Sequence, residues 1–197
     1  MINILILIAS IHFVFAKVVA PDDITNWNVI QHGNIWIGWA EKTDIQWCRS
    51  ISTLPYSINA VMGVIEDKKH YPEIFDRVED VQIFENDIIH LMLDMPFPFS
   101  GRDYIVQYTF HKHGSNFAYR FQSVKDRRVP LQDEYVRLPN AAGEWYLQPT
   151  DDGYTQIRYT WNGELLGDFP NWALTRAWKE QGNEVIDWLD KALAKIE

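Results

Sequence analysis

Residues 170–196 read PNWALTRAWKEQGNEVIDWLDKALAKI, and this stretch decides the fold. Leu174, Trp178, Val185, Leu189 and Ile196 recur at helical spacing, and Trp172, Ile186 and Leu193 widen the apolar stripe. Pro170 suits a first-turn position with Asp168 as a cap just upstream, which predicts one long amphipathic helix from about Asn171 to Lys195. Gly182 weakens its middle by about 1 kcal/mol relative to Ala and allows a bend. A helix with one apolar face must bury it against another layer.

Working back from that helix, the period falls to two. In Thr155–Trp161, Ile157, Tyr159 and Trp161 lie on one side and Gln156, Arg158 and Thr160 on the other. Strands are also predicted near Trp145–Gln148 and Tyr135–Leu138. Tyr104–Phe110 and Phe117–Phe121 fit a hairpin turning near Gly114-Ser115, while Val81, Ile83, Leu91 and Leu93 fit another turning at Glu85-Asn86-Asp87. An earlier extended pair, Ile35–Trp39 and Ile45–Ile51, is separated by a polar turn around Thr43-Asp44. Pro55 ends it. Ser57 then caps a short helix to about Asp67, with Ile58, Val61, Met62 and Ile65 on one face, and a second helical piece covers Lys69–Phe75. The order is strands, short helices, about six strands and one long helix, an α+β layout with a mostly antiparallel sheet. A curved sheet needs its concave face covered, and the final helix is the one element large enough. Where aromatic side chains do not fill the space between them, a cavity remains.

The totals narrow the function classes. The formal net charge is −9, with no run of Lys and Arg longer than Lys68-Lys69 or Arg127-Arg128, so phosphate-driven nucleic-acid binding is excluded as an expectation. Nine Trp, nine Tyr and ten Phe can fill a core or line an apolar pocket, and composition does not separate the two. Cys48 is the one cysteine; it permits no intrachain disulfide and no zinc site of paired thiolates, and is expected as a small buried side chain on a strand.

Residues Ile4 to Ala16 form a nearly continuous apolar stretch broken by Ser10 and His12. Val14 and Ala16 occupy the −3 and −1 positions of a cut before Lys17, the pattern of a secretory signal peptide, although Met1-Ile2-Asn3 brings no Lys or Arg. An uncleaved anchor is the rival, disfavoured because a span needs about 20 apolar residues. The expectation is export to the periplasm or medium, with residues 1–16 as leader and 17–197 as one domain. A domain of this size buries roughly 70% of its unfolded surface and needs no staples.

Three stretches carry a resemblance to a known family. Pro98-Phe99-Ser100-Gly101-Arg102-Asp103-Tyr104 looks like an Arg-Asp pair opening a strand. Val136-Arg137-Leu138-Pro139, followed by Gly143-Glu144-Trp145 and Pro149, looks like an arginine strand and a Gly-x-Trp strand start. Thr155-Gln156-Ile157-Arg158-Tyr159 leads to Gly167-Asp168-Phe169-Pro170-Asn171-Trp172, a Gly-x-x-Pro-x-Trp helix entry. In order and spacing the chain from about Asp23 onward resembles the START family of lipid-binding and lipid-transfer domains. The resemblance implies a helix-grip fold: a curved antiparallel sheet wrapped around the terminal helix, enclosing a tunnel for one lipid-like molecule.

Within that frame several residues can carry chemistry. Met62, Leu91, Tyr108, Tyr119, Trp161, Leu174, Trp178 and Val185 are candidates for the tunnel wall, with ordinary core packing as the competing reading of each. Arg49, Arg120, Arg137 and Arg158 fall on predicted strands; a buried guanidinium must be paired and suits an anionic head group, and Arg137 joins the ligand-binding set. Arg102 and Asp103, being adjacent on a strand, point to opposite faces. His111 and His113 share one face at a chelating spacing but sit beside the Gly114 turn, where polar residues are simply solvated, so no metal is expected. Asp94 and Glu134 can act as acid or base but have no assigned partner. There is no Gly-x-Ser-x-Gly, His-Glu-x-x-His, phosphate loop or dinucleotide fingerprint. The expected function is binding, and release at a membrane, of one lipid or other hydrophobic small molecule by a monomer without a cofactor. An enzyme using the same cavity and a filled scaffold binding a protein partner are the alternatives.

Overall fold

The computed structural model describes Ala20 and residues 23–196; the leader expected over residues 1–16 lies outside the described residues. Strands β1 (Asn28–Gln31), β2 (Trp36–Lys42) and β3 (Ile45–Leu54) come first. Helix α1 (Ile58–Glu66) and the single turn α2 (Tyr71–Ile74) follow. Then come β4 (Val78–Phe84), β5 (Ile88–Leu93), β6 (Gly101–His113), β7 (Asn116–Ser123), β8 (Tyr135–Arg137), β9 (Ala142–Pro149) and β10 (Thr155–Asn162). Helix α3 (Leu174–Leu193) is the last described element. Among the described residues ten strands form one sheet in the order β1-β2-β3-β10-β9-β7-β6-β5-β4, with β8 paired to β6. Every pairing is antiparallel except β6 with β8.

The hairpins turn through a left-handed backbone, which Asn, Asp and Gly adopt readily and the β-branched Thr43 does not. Thr43 and Asp44 (φ 56° and 60°) join β2 to β3, and Asn86 and Asp87 (φ 62° and 56°) join β4 to β5. Gly114 (φ 64°) turns β6 into β7. Ser57 accepts a hydrogen bond from Ala60 N at 3.3 Å and so starts α1 where Pro55 has ended β3.

Helix α3 buries Leu174, Trp178, Gly182, Val185, Ile186, Leu189 and Leu193 against the inner face of the sheet and α1. Each fully buried Leu or Ile there contributes about 1.5–3 kcal/mol. Three details of the expected helix differ. Asp168 does not cap it: α3 begins after a 3-10 turn (Asn171–Ala173), Ala173 is the cap position, and the Asp168 carboxylate instead accepts from Ser100 N and Arg102. Trp172 and Ile196 leave the buried stripe and stand 86% and 66% exposed, because they lie beyond the ends of the packed segment. Gly182 serves close approach to the sheet: its carbonyl accepts from Ser50 Oγ at 3.1 Å, and a Cβ there would come 2.4 Å from that oxygen.

The outer face of the sheet carries charge. Glu144 on β9 accepts from Arg120 on β7 at 2.7 Å and from Arg158 on β10 at 3.2 Å. Arg49 donates to Thr160 at 2.8 Å and lies over the Trp27 ring. Among the described residues no helix is long and apolar enough to cross a membrane.

Candidate functional site

Alternate residues of the strands project from the inner face of the sheet toward α3. Leu91 and Leu93 come from β5, Tyr104 and Tyr108 from β6, Phe121 from β7, and Tyr159 and Trp161 from β10. Over them α3 and the turn before it lay the line Ala173, Ala177, Gln181 and Glu184, next to the packed stripe. Two alanines in that line are too short to reach the aromatic floor. An outer chamber of about 390 Å³ results, within the range of small-molecule sites. An inner chamber of about 80 Å³ lies toward α2, walled by Tyr71, Phe75, Leu91, Tyr108, Val185 and Trp188 among others. Arg77, Leu93, Tyr104, Phe121, Tyr159 and Gln181 border both chambers and form the neck between them.

Two loops frame the mouth. Met95, Pro96 and Phe99 come from the β5–β6 loop, and Glu164, Leu165 and Phe169 from the loop between β10 and α3. The Phe99 and Phe169 rings meet at 4.7 Å. Arg102, fully buried at the start of β6, holds the second loop: Nε donates to Leu165 O and Nη2 to Leu166 O, both at 2.8 Å, and Nη2 also to Asp168 Oδ1 at 2.9 Å. Its Nη1 donates to Ser100 O in the first loop. Beside this frame Phe97 is 96% exposed and Leu166 41%, so with Trp172 the rim is apolar.

Two charges of the wall, Arg77 and Glu184, pair with one another. Arg77 makes two hydrogen bonds to Glu184, at 2.6 and 2.7 Å, and stands 3.6 Å from Glu180. Hydrogen bonding to Glu184 pushes the Arg77 guanidinium further above its ordinary value, so it remains charged. Burial raises the Tyr104 hydroxyl to about 12 and the Tyr159 hydroxyl well above its usual range, and both are neutral donors at physiological pH.

Of the residues singled out from the sequence, Trp161 lines the outer chamber, and Leu91, Tyr108 and Val185 line the inner one. The other five are placed elsewhere. Met62 packs on α1 against the core, and Leu174 is buried on α3. Trp178 stacks at 5.3 Å on Trp39 and donates to Gly163 O at 2.8 Å. Tyr119 donates to Glu66. Arg137 donates to Asp103 at 2.8 Å on the outer face of the sheet, where Asp103 also meets His90 at 2.7 Å. Tyr104, Phe121 and Tyr159 were missed as wall residues, although Tyr104 shares the parity of Tyr108 along β6, Phe121 that of Tyr119 along β7 and Tyr159 that of Trp161 along β10. Asp94 lines the outer chamber, whereas Glu134 is exposed on the β7–β8 connection. The His111 and His113 rings stack 6.4 Å apart at the exposed end of β6. Among the described residues no group of three or more His, Cys, Asp or Glu is placed to hold a metal ion.

Comparison with known proteins bears on the fold. A STAR-related lipid transfer protein from Xanthomonas axonopodis superposes with a TM-score of 0.75 at 22% identity, covering 85% of this chain and 98% of that one. Human StAR-related lipid transfer protein 5 superposes with a TM-score of 0.81 at 13% identity, covering 89% of each chain. A Streptomyces aromatase/cyclase is more distant, with a TM-score of 0.52 at 18% identity over 77% of this chain and 95% of that one. By sequence, an uncharacterized protein of Pseudomonas aeruginosa is 32% identical over 80 residues, which span 41% of this chain and only 40% of that relative. No protein-family model matches the sequence. The resemblance drawn from the sequence motifs therefore extends to three dimensions: the chain has the START helix-grip fold, a curved antiparallel sheet gripping a long C-terminal helix.

Proposed function

We propose that this protein binds a single lipid or other hydrophobic small molecule in the cavity beneath α3 and carries it between membranes. The observation that carries the reading is the outer chamber itself, about 390 Å³ of space walled mainly by aromatic and aliphatic side chains and opening between two loops. Burying a chain there contributes about 0.8 kcal/mol per methylene before ordering costs. Phe97, Leu166 and Trp172 at the rim suit transient contact with a bilayer surface, through which the ligand enters and leaves. In this reading the carrier is a monomer acting after export by its leader and releases its cargo unchanged, and the wall residues Arg77 and Glu184 are engaged with each other.

Native mass spectrometry of the exported protein, followed by denaturing extraction, tests the reading. A discrete added mass that extracts as an intact lipid is the expected result. A clean apo mass with no uptake from a lipid mixture overturns it. Conversion of the extracted ligand on incubation with fresh protein would transfer the same cavity to an enzyme.

A further inference from the structure

The neck between the chambers differs in chemistry from the mouth. Three residues that border both chambers carry uncharged hydrogen-bonding groups: Tyr104 from β6, Tyr159 from β10 and Gln181 from α3. Tyr159 is only 8% exposed, and what it exposes faces the cavity. Neither its hydroxyl nor that of Tyr104 has a hydrogen-bond partner among the described residues. The neighbouring Tyr71 hydroxyl, by contrast, donates to Ile65 O at 2.6 Å. A hydroxyl that lines a cavity without a protein partner is available to an acceptor atom on a ligand.

Charge at the neck is already used. Arg77 is held by Glu184 and Glu180, while Arg102 is taken up by backbone carbonyls and Asp168. Arg176, Asp94 and Glu164 border the outer chamber alone, nearer the mouth. A ligand ion drawn in to the neck would lose its hydration without gaining a free counter-charge.

Resting on the carrier reading, we propose that the neck recognises an uncharged oxygen function of the ligand, a hydroxyl or a ketone or ester carbonyl, which accepts hydrogen bonds from Tyr104 and Tyr159. The cargo class is then a neutral amphiphile whose polar group sits inside the protein, rather than one with a charged head group. The apolar remainder packs against the aromatic walls on either side.

Isothermal titration of the full chain with four probes of one chain length tests this: 1-dodecanol, 2-dodecanone, dodecanoate and dodecyltrimethylammonium. The two neutral probes should bind about tenfold or more tighter than the two ions. Tyr159→Phe and Tyr104→Phe, which keep the rings, should each weaken the neutral probes about threefold to tenfold at an unchanged melting temperature. Equal binding of neutral and charged probes, with both Phe variants behaving as wild type, overturns the neck assignment and leaves the carrier reading standing. Failure of every probe to bind wild type overturns both. Should a Phe variant fold poorly, Gln181→Leu on the half-buried face of α3 is titrated with the same probes, and the same loss for the neutral pair is required.

Discussion

Arg102 Nη2 donates to Asp168 Oδ1 at 2.9 Å, while Asp168 Oδ2 accepts from Ser100 N at 3.1 Å, so one carboxylate ties together the two loops that frame the cavity mouth. The partners are not equivalent. Arg102 is sealed from solvent and serves three carbonyls besides, whereas Asp168 is largely exposed. Arg102→Ala strands the carbonyls of Ser100, Leu165 and Leu166 and should cost about 3 kcal/mol in denaturant titration. Asp168→Asn should barely change the melting temperature, as expected for an exposed pair, yet speed hydrogen exchange across residues 163–168.

The outer face supplies a pH dependence. Burial alone would raise the Asp103 carboxyl, but hydrogen bonds from His90 and Arg137 and the charge of Arg137 outweigh it and hold it below the usual carboxylate range. A group depressed in the folded state stabilises it above the unfolded value of about 3.9, and that contribution disappears as pH falls through the lower folded value. Asp103→Asn should therefore be less stable than wild type at pH 7. The gap between their melting temperatures should close as pH drops below about 4; a gap independent of pH would contradict the assignment.

At the helix–sheet contact, Gly182→Ala sets two effects against each other. Helix propensity favours Ala by about 1 kcal/mol. Against it, the new Cβ would lie 2.4 Å from Ser50 Oγ and 3.0 Å from Ile37 Cδ1, and overpacking of this kind costs about 1–3 kcal/mol. Net destabilisation is expected, and adding Ser50→Ala should recover part of it by removing the nearer atom.

Trp178 provides a control for the cavity. It is 2% exposed, stacked on Trp39 and hydrogen-bonded to Gly163, and it borders neither chamber. Trp178→Ala should lower stability by about 3–5 kcal/mol while ligand stoichiometry stays the same. Loss of ligand at intact stability would move this side chain into the site.

The rim prediction concerns membranes. Phe97 and Trp172 are 96% and 86% exposed, so replacing both with Ser removes little packing. Vesicle co-sedimentation should fall about tenfold or more, since each aromatic contributes about 1.5–3 kcal/mol when buried in the interface. The melting temperature should not move.

What depended on local periodicity was legible in the chain itself. The stripe from Leu174 to Leu193 specifies a one-faced helix, and the residues between the apolar runs, such as Asn86-Asp87 and Gly114, place the hairpin turns. Alternation along Thr155–Trp161 puts Ile157, Tyr159 and Trp161 on one face. Strand β1 carries no such signal, because its two apolar residues, Val29 and Ile30, are adjacent and do not alternate with polar ones. Only the tertiary structure decided where the wall stays open. Ala173 and Ala177 are unremarkable in the sequence, and they leave a void because the docked helix holds them above aromatic residues from distant strands. It alone also chose the arginine partners. Arg102 reaches Leu165 O across 63 residues of chain, and Arg137 meets Asp103 because β8 lies parallel to β6. Local pattern fixes which side of a strand a residue occupies, but pairing and empty space depend on register between strands far apart in the chain, which no local pattern encodes.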